Sequence, residues 1–227
     1  KGQAQIEAVE LGQELFCLVD GKKLNIEVRF YVKTDDFDAR YTNKDAVLGS
    51  VVLGESTQFT LWAPTAYQVN LLIDDHVLAM NRDAKGFYSL TLDKDYSGAS
   101  YLYEVRRDGD DFVTCDPYAK ATLPNRKASV VTNLKFDRVP LEQKGDVILE
   151  MHVRDFSMDP EVPFENRGKF LGMLESHGEY GYQHIKDLGV GVLQLQPVTD
   201  FETVDELDPF SAYNWGYDPM QFFALEG

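Results

Sequence analysis

Phe59-Thr60-Leu61-Trp62-Ala63-Pro64, followed after a short turn by Val69-Asn70-Leu71-Leu72-Ile73, decides how this chain folds. Phe59, Leu61 and Ala63 alternate with Thr60 and Trp62. Val69, Leu71 and Ile73 alternate with Asn70 and Leu72. A period of two sends successive side chains to opposite faces, so each run reads as a strand with one face in a core. Downstream, Tyr88, Leu90 and Leu92 alternate with Ser89 and Thr91. Tyr101, Tyr103 and Val105 alternate with Leu102 and Glu104, ahead of a turn at Asp108-Gly109-Asp110. Turn chemistry recurs about every ten residues and no helix-period segment intervenes, which predicts a β-sandwich over residues 46–140. Asp116-Pro117-Tyr118 to Pro124 reads as its exit loop. Trp62, inside the alternating strand, is assigned a packing role.

Upstream, Leu15 to Val19 and Leu24 to Val32 flank Asp20-Gly21, which predicts a hairpin. A polar, acidic stretch from Lys33 to Asp45 follows. Residues 1–45 are too few for a full domain of their own and read as the end of an N-terminal β-domain.

From residue 141 the texture changes. Val147-Ile148-Leu149-Glu150-Met151-His152-Val153 is nearly continuous apolar sequence, the pattern of a parallel strand buried on both faces. Ile185 and Leu188 are three apart in a predicted helix over Tyr182 to Leu188, with Gly189 placed to end it. Val190 to Val198 then reads as a second buried strand. Strand, helix, strand is how an α/β barrel or a doubly wound sheet begins. Two parallel strands cannot close a barrel, so residues 141–227 are expected to be the front of a longer domain.

The heptapeptide Tyr213-Asn214-Trp215-Gly216-Tyr217-Asp218-Pro219 sets three aromatic rings beside an amide and a carboxylate. A pyranose has an apolar face that stacks on such rings and a fringe of hydroxyls that wants fixed polar partners.

Composition narrows the partners. The 227 residues carry a net charge of -16, with 44% hydrophobic and 12% aromatic residues. That excess of acid argues against nucleic acid and anionic membrane, which both call for a basic face. No apolar run approaches the roughly 20 residues needed to span a bilayer. Cys17 and Cys115 read as two buried free thiols. His76, His152, His177 and His184 are scattered without zinc-ligand spacing, so no metal site is expected. No signal peptide is visible. With two unpaired cysteines, that favours the cytoplasm, an extracellular enzyme being the alternative.

Several of these segments resemble one family. VILEMHVRDFS at 147–157 is similar to the first barrel strand of type I pullulanases, in the α-amylase superfamily (glycoside hydrolase family 13). LQLQPVTDF at 193–201 resembles their second strand and its loop. YNWGYDP at 213–219 is the group's signature, continued by QFFALEG at 221–227. FTLWAP at 59–64 and Asp116-Pro117-Tyr118-Ala119 resemble the family 48 carbohydrate-binding module that precedes the barrel. The fold so implied is multidomain: an immunoglobulin-like β-sandwich followed by the first two βα units of a TIM (β/α)8 barrel. Gln196 departs from the family, which more often has an apolar residue there.

The resemblance implies retaining hydrolysis of α-1,6-glucosidic branch linkages in pullulan, starch, glycogen or maltodextrin. One carboxylate attacks the anomeric carbon, and another, about 5–5.5 Å away, protonates the leaving oxygen. In the family both lie on barrel strands beyond the second, so no catalytic residue is expected in this chain. The partner expected besides α-glucan is the C-terminal remainder of the same enzyme, in the same or a separate chain. By carry-over, Tyr217 is similar to the aromatic that stacks on glucose at the −1 subsite. Asp218 orients an arginine or a sugar hydroxyl, and Tyr213, Asn214 and Trp215 complete the set of five expected substrate-binding residues, chiefly by shaping the loop. Arg154 and Asp155 are expected to form a structural ion pair, His152 to be a satisfied core histidine, and Gln194 and Gln196 to share one strand face. No cofactor is required; calcium stays open as an addition, although this segment carries no signature for it. The competing reading is a non-catalytic α-glucan-binding module or scaffold fragment, which has no need of residues 141–227. Isoamylases and branching enzymes carry a different loop where this chain has YNWGYDP.

Overall fold

The computed structural model describes residues 10–107, 109–140 and 147–226. Asp108 of the expected turn, the start of the N-terminal segment at 1–9, the beginning of the expected barrel at 141–146, and Gly227 lie outside the described residues. The chain forms two compact units divided between Asn133 and Leu134.

In the first unit, β1 (Phe16–Val19) and β2 (Lys22–Asn25) form the expected hairpin, with Val19 paired to Lys22 across the Asp20-Gly21 turn. The second strand stops at Asn25 instead of running to Val32. A 3-10 turn at Tyr31–Lys33 leads into helix α1 (Asp35–Tyr41), which the sequence reading did not foresee. Its causes are local. The Thr34 hydroxyl accepts from the Phe37 amide at 3.2 Å and caps the helix start. Asp35, Asp36 and Asp38 put negative charge in the first turn and Arg40 puts positive charge in the last, both favourable to the helix dipole. Phe37 and Tyr41 bury one helix face with Leu11.

The strands that follow are β3 (Gly49–Leu53), β4 (Ser56–Trp62), β5 (Gln68–Ile73), β6 (His76–Ala79), β7 (Asn81–Arg82), β8 (Phe87–Leu92), β9 (Ser100–Arg107), β10 (Asp110–Thr114) and β11 (Ser129–Val130). They build two antiparallel sheets. One has the order β3-β4-β8-β7; the other has β10-β9-β5-β6, with β11 also on β9. The sandwich expectation holds. The residues picked out by period two fill the core: Phe59, Val69, Leu71, Tyr101 and Tyr103 are all at most 1% exposed. The Phe59 ring of one sheet meets Tyr101 of the other edge-on at 5.0 Å. Burying one such side chain contributes about 1.5–3 kcal/mol. Trp62 sits on the opposite side of its strand. Its indole N–H donates to the Tyr41 carbonyl at 2.8 Å and its ring packs by Phe37 and Phe87, so it fastens α1 to the sandwich. The cysteines are free, but Cys17 is exposed and not buried, because every residue of β1 is exposed; Cys115 is half-buried.

In the second unit, β12 (Ile148–Met151) leads through the short helix α2 (Val153–Phe156) and a 3-10 turn at Phe170–Leu174. A small hairpin, β13 (Ser176–His177) and β14 (Tyr180–Gly181), opens into α3 (Tyr182–Asp187). The chain returns as β15 (Val192–Leu195). β12 and β15 pair in parallel, Ile148 with Val192 through Met151 with Leu195, as the strand–helix–strand pattern predicts. Burial is where the expectation fails. Ile148 is 64% exposed, and all four residues of β15 are exposed. A pair of parallel strands carries apolar side chains on both faces, and among the described residues these are covered only in part, with Leu149 and Met151 half-buried. Gln194 is exposed, whereas Gln196 lies past the strand end with its amide on the Met151 carbonyl at 2.9 Å.

Candidate functional site

The end of β12 meets the 213–219 loop through three side chains in four residues. His152 caps α2: its Nδ1 accepts from the Arg154 amide at 3.1 Å, while Nε2 lies 3.0 Å from the Asn214 carbonyl. One partner is a donor and the other an acceptor, so a single neutral tautomer, protonated at Nε2, satisfies both. Arg154 donates to the Ala212 carbonyl at 2.5 Å and lays its guanidinium 5.3 Å from the Tyr213 ring centroid and 5.6 Å from that of Phe210. Asp155 accepts from the Tyr213 hydroxyl at 2.8 Å. The expected Arg154–Asp155 ion pair is therefore not what forms. Both charges are spent on Tyr213 and its neighbour, because the loop offers each a better-placed partner. Partial burial first, and then the bond to Asp155, pushes the Tyr213 phenol above its ordinary value.

Asn214 is the hub of the loop. Its side-chain amide donates to Asp218 Oδ1 at 2.8 Å and to the Thr203 hydroxyl, and its Oδ1 accepts from the Gly216 amide at 2.6 Å. The turn itself requires Gly216. Its φ is +83°, and a Cβ there would lie 2.2 Å from the Pro197 carbonyl oxygen. Phe201 pairs with Pro219 in an isolated bridge, and the Met220 amide donates to the Asp200 carbonyl at 2.8 Å, which fixes the loop's far end.

The five expected binding residues thus fall into two groups. Tyr213 and Asn214 hold the loop together. Trp215 and Tyr217 are 62% and 63% exposed, and Asp218 is exposed while it accepts from Asn214. Large aromatic surface presented on a cinched turn is available for stacking on an apolar ring face.

Two features escaped the sequence. A cavity of about 340 Å³ is lined by His152, Arg154, Phe170, Phe201, Phe210 and Asn214, among others; of the five expected binding residues, Asn214 alone lines it. Its walls come from loops far apart in sequence, so no spacing announces it. The second feature is acidic. Asp200, fully buried, Glu206 and Glu226 bring one carboxylate oxygen each within 4.8 Å of one another. Oxygen donors of this kind suit hard cations, but positions 200, 206 and 226 follow no ligand motif. Glu226 also accepts from the Phe201 amide at 3.1 Å.

Residues 47–119 match Carbohydrate-binding module 48 (Isoamylase N-terminal domain). Across 91% of the chain, a pullulanase of Bacillus subtilis is 34% identical, the match covering 31% of that protein. The crystal structure of a pullulanase from an Anoxybacillus species superposes with a TM-score of 0.87 at 32% identity, over 96% of this chain and 34% of that one. A type I pullulanase from Bacillus subtilis crystallised with maltose gives 0.84 at 33% identity, over 96% and 33%. The chain spans about a third of the length of these relatives.

Proposed function

Since this chain is the counterpart of the N-terminal portion of type I pullulanases, with a family 48 carbohydrate-binding module at 47–119, we propose that the complete protein is a retaining α-1,6-glucan debranching hydrolase. Its substrates are the branch linkages of pullulan, starch or glycogen. The chain described here supplies the sandwich module, the parallel β12–β15 pair that opens a (β/α)8 barrel, and a substrate-binding loop. The reacting carboxylates belong to later barrel strands, so this chain by itself does not turn over substrate.

The observation that carries the reading is the state of Tyr217. Its ring is 63% exposed while the backbone on both sides of it is fixed, by Asn214 on Gly216 and by the Phe201–Pro219 bridge. A rigid, exposed ring can hold a glucose unit while it flattens toward an oxocarbenium-like geometry; that is positioning, and positioning is worth orders of magnitude in rate. Asp218, already engaged by Asn214, offers its remaining lone pairs to a sugar hydroxyl. Trp215, equally exposed, widens the stacking surface. Solved relatives bear on the ligand class: a Bacillus subtilis pullulanase was crystallised with maltose, and an Anoxybacillus pullulanase with maltotetraose. The mechanism needs carboxylates only, so no cofactor enters it. No helix among the described residues is long and apolar enough to cross a membrane. The free thiols of Cys17 and Cys115 favour the cytoplasm as the compartment, with an extracellular enzyme as the alternative.

The test is Tyr217→Ala in the full-length protein, assayed on pullulan. The expected result is a fall in kcat of about a hundredfold, the scale of a lost positioning contact, with the melting temperature unchanged. Unchanged turnover rules the stacking role out.

A further inference from the structure

We propose that His152 is a positioning residue for the carbohydrate site, acting through the Asn214 carbonyl on the loop that presents Tyr217; the inference rests on the stacking role proposed above.

The geometry is a single ring with two jobs. On one side, Nδ1 accepts the Arg154 amide and closes the start of α2 at 3.1 Å. On the other, Nε2–H donates to the Asn214 carbonyl at 3.0 Å, 62 residues further along the chain. The imidazole also lies 5.3 Å from the Tyr213 ring, tilted 31° to it. Asn214 is the residue whose side chain sets the rest of the turn, through the Gly216 amide and the Asp218 carboxylate. That side chain can shape the turn but cannot orient it relative to β12. Its own bonds all run to Thr203, Gly216 and Asp218. The main-chain carbonyl is the atom by which the turn is referred back to the strand, and His152 is what holds it. Arg154 at the Ala212 carbonyl and Asp155 at the Tyr213 hydroxyl do the same for the two preceding residues. His152 is the last of the three ties before the rings that face solvent. Losing it keeps the turn's shape, its far end on Phe201 and Asp200 and its ties at Ala212 and Tyr213, but loosens the hold on Asn214, so Trp215 and Tyr217 are set less closely relative to β12.

A capping role and a positioning role predict opposite rescues. Asn at 152 places an oxygen where Nδ1 was, so it keeps the cap and loses the donor to Asn214. Gln places an amide nitrogen where Nε2 was, so it keeps the donor and loses the cap. In the full-length protein assayed on pullulan, His152→Asn is expected to lower kcat about tenfold, a rate loss proper to a mispositioned ring, with the melting temperature held. His152→Gln is expected to keep kcat within about twofold at a slightly lower melting temperature, since a lost cap costs stability and not rate. The reverse pattern, Asn active and Gln inactive, reduces His152 to a helix cap and overturns the proposal. Equal losses in both variants that track a fall in melting temperature overturn it as well. Tyr217→Ala in the same assay separates the two ideas. If it abolishes turnover while both His152 variants stay active, the positioning inference alone fails. If Tyr217→Ala is silent, the stacking reading fails and takes this inference with it.

Discussion

The two units use the same residues in opposite ways. In the sandwich, Phe59, Tyr88, Tyr101 and Tyr103 are almost wholly buried. In residues 147–226, Tyr213, Trp215, Tyr217, Phe222 and Phe223 are between 46% and 67% exposed. The sandwich is held by apolar burial between its two sheets. The second unit is held by polar side chains tied to backbone: Asn214 and His152 in the loop, Arg167 on the Asp159 and Val162 carbonyls, Glu175 on the amides of Glu165 and Asn166. Aromatic content therefore says little by itself. What decides is whether the rings fall on one face of a repeating strand or on a turn that polar groups have already fixed.

Truncating one ring from each set gives the largest contrast. Phe59→Ala opens a cavity between two sheets that cannot close around it, and a loss of about 3–5 kcal/mol is expected in denaturant unfolding of the chain. Tyr217→Ala removes a ring of similar size that buries little, and should stay within about 0.5 kcal/mol of wild type. Comparable losses at the two positions would mean that Tyr217 is packed after all, and the distinction between the units would collapse.

This contrast also explains what could be read from the chain. Period two at Phe59–Ile73, Tyr88–Leu92 and Tyr101–Val105 marked both the strands and their buried faces, since a pleated strand maps sequence parity directly onto side. The order strand, helix, strand marked the parallel pairing of β12 and β15. Helix α1 was missed because its signal was a cap, Thr34 with three aspartates, in a stretch that reads as polar loop. The loop residues at 213–219 were legible as a group. The ties that hold them, from His152, Arg154 and Asp155, were not, since each spans about 60 residues and leaves no periodic trace.

A matched pair of glycines sharpens the comparison at smaller scale. Gly98, in the sandwich, and Gly216, in the loop, both have φ of +83°. A Cβ on Gly98 would meet nothing within 4 Å, whereas one on Gly216 would strike the Pro197 carbonyl oxygen. Gly98→Ala isolates the conformational cost of a left-handed backbone, about 1–2 kcal/mol. Gly216→Ala adds displacement of Pro197 and should cost more in stability. In the full-length protein it should also depress turnover, which Gly98→Ala should leave alone. Equal effects would show that the close approach to Pro197 is slack.

The smallest effect is one of sign. Asp116 in the sandwich is fully buried, and burial raises its carboxyl above the ordinary value of 3.8, against the Tyr118 amide and the Tyr101 and Tyr103 hydroxyls that hold the charged form. The folded chain binds that proton more tightly than the unfolded chain, so the contribution is full below the ordinary value and is lost as pH rises through the folded one. Glu175 in the second unit runs the other way. The His177 imidazole first, then the Glu165 amide and the Asn166 side chain, bring it from 4.5 down to about 2. Its contribution is present above 4.5 and is lost as pH falls toward 2. Urea unfolding of wild type, Asp116→Asn and Glu175→Gln at neutral pH and at about pH 3 reads both, each variant lacking one titrating proton. On acidification, wild type should gain on Asp116→Asn and lose ground to Glu175→Gln. If both differences move in the same direction, the buried carboxylate and the bridged one are not opposites, and burial is not what sets Asp116 apart.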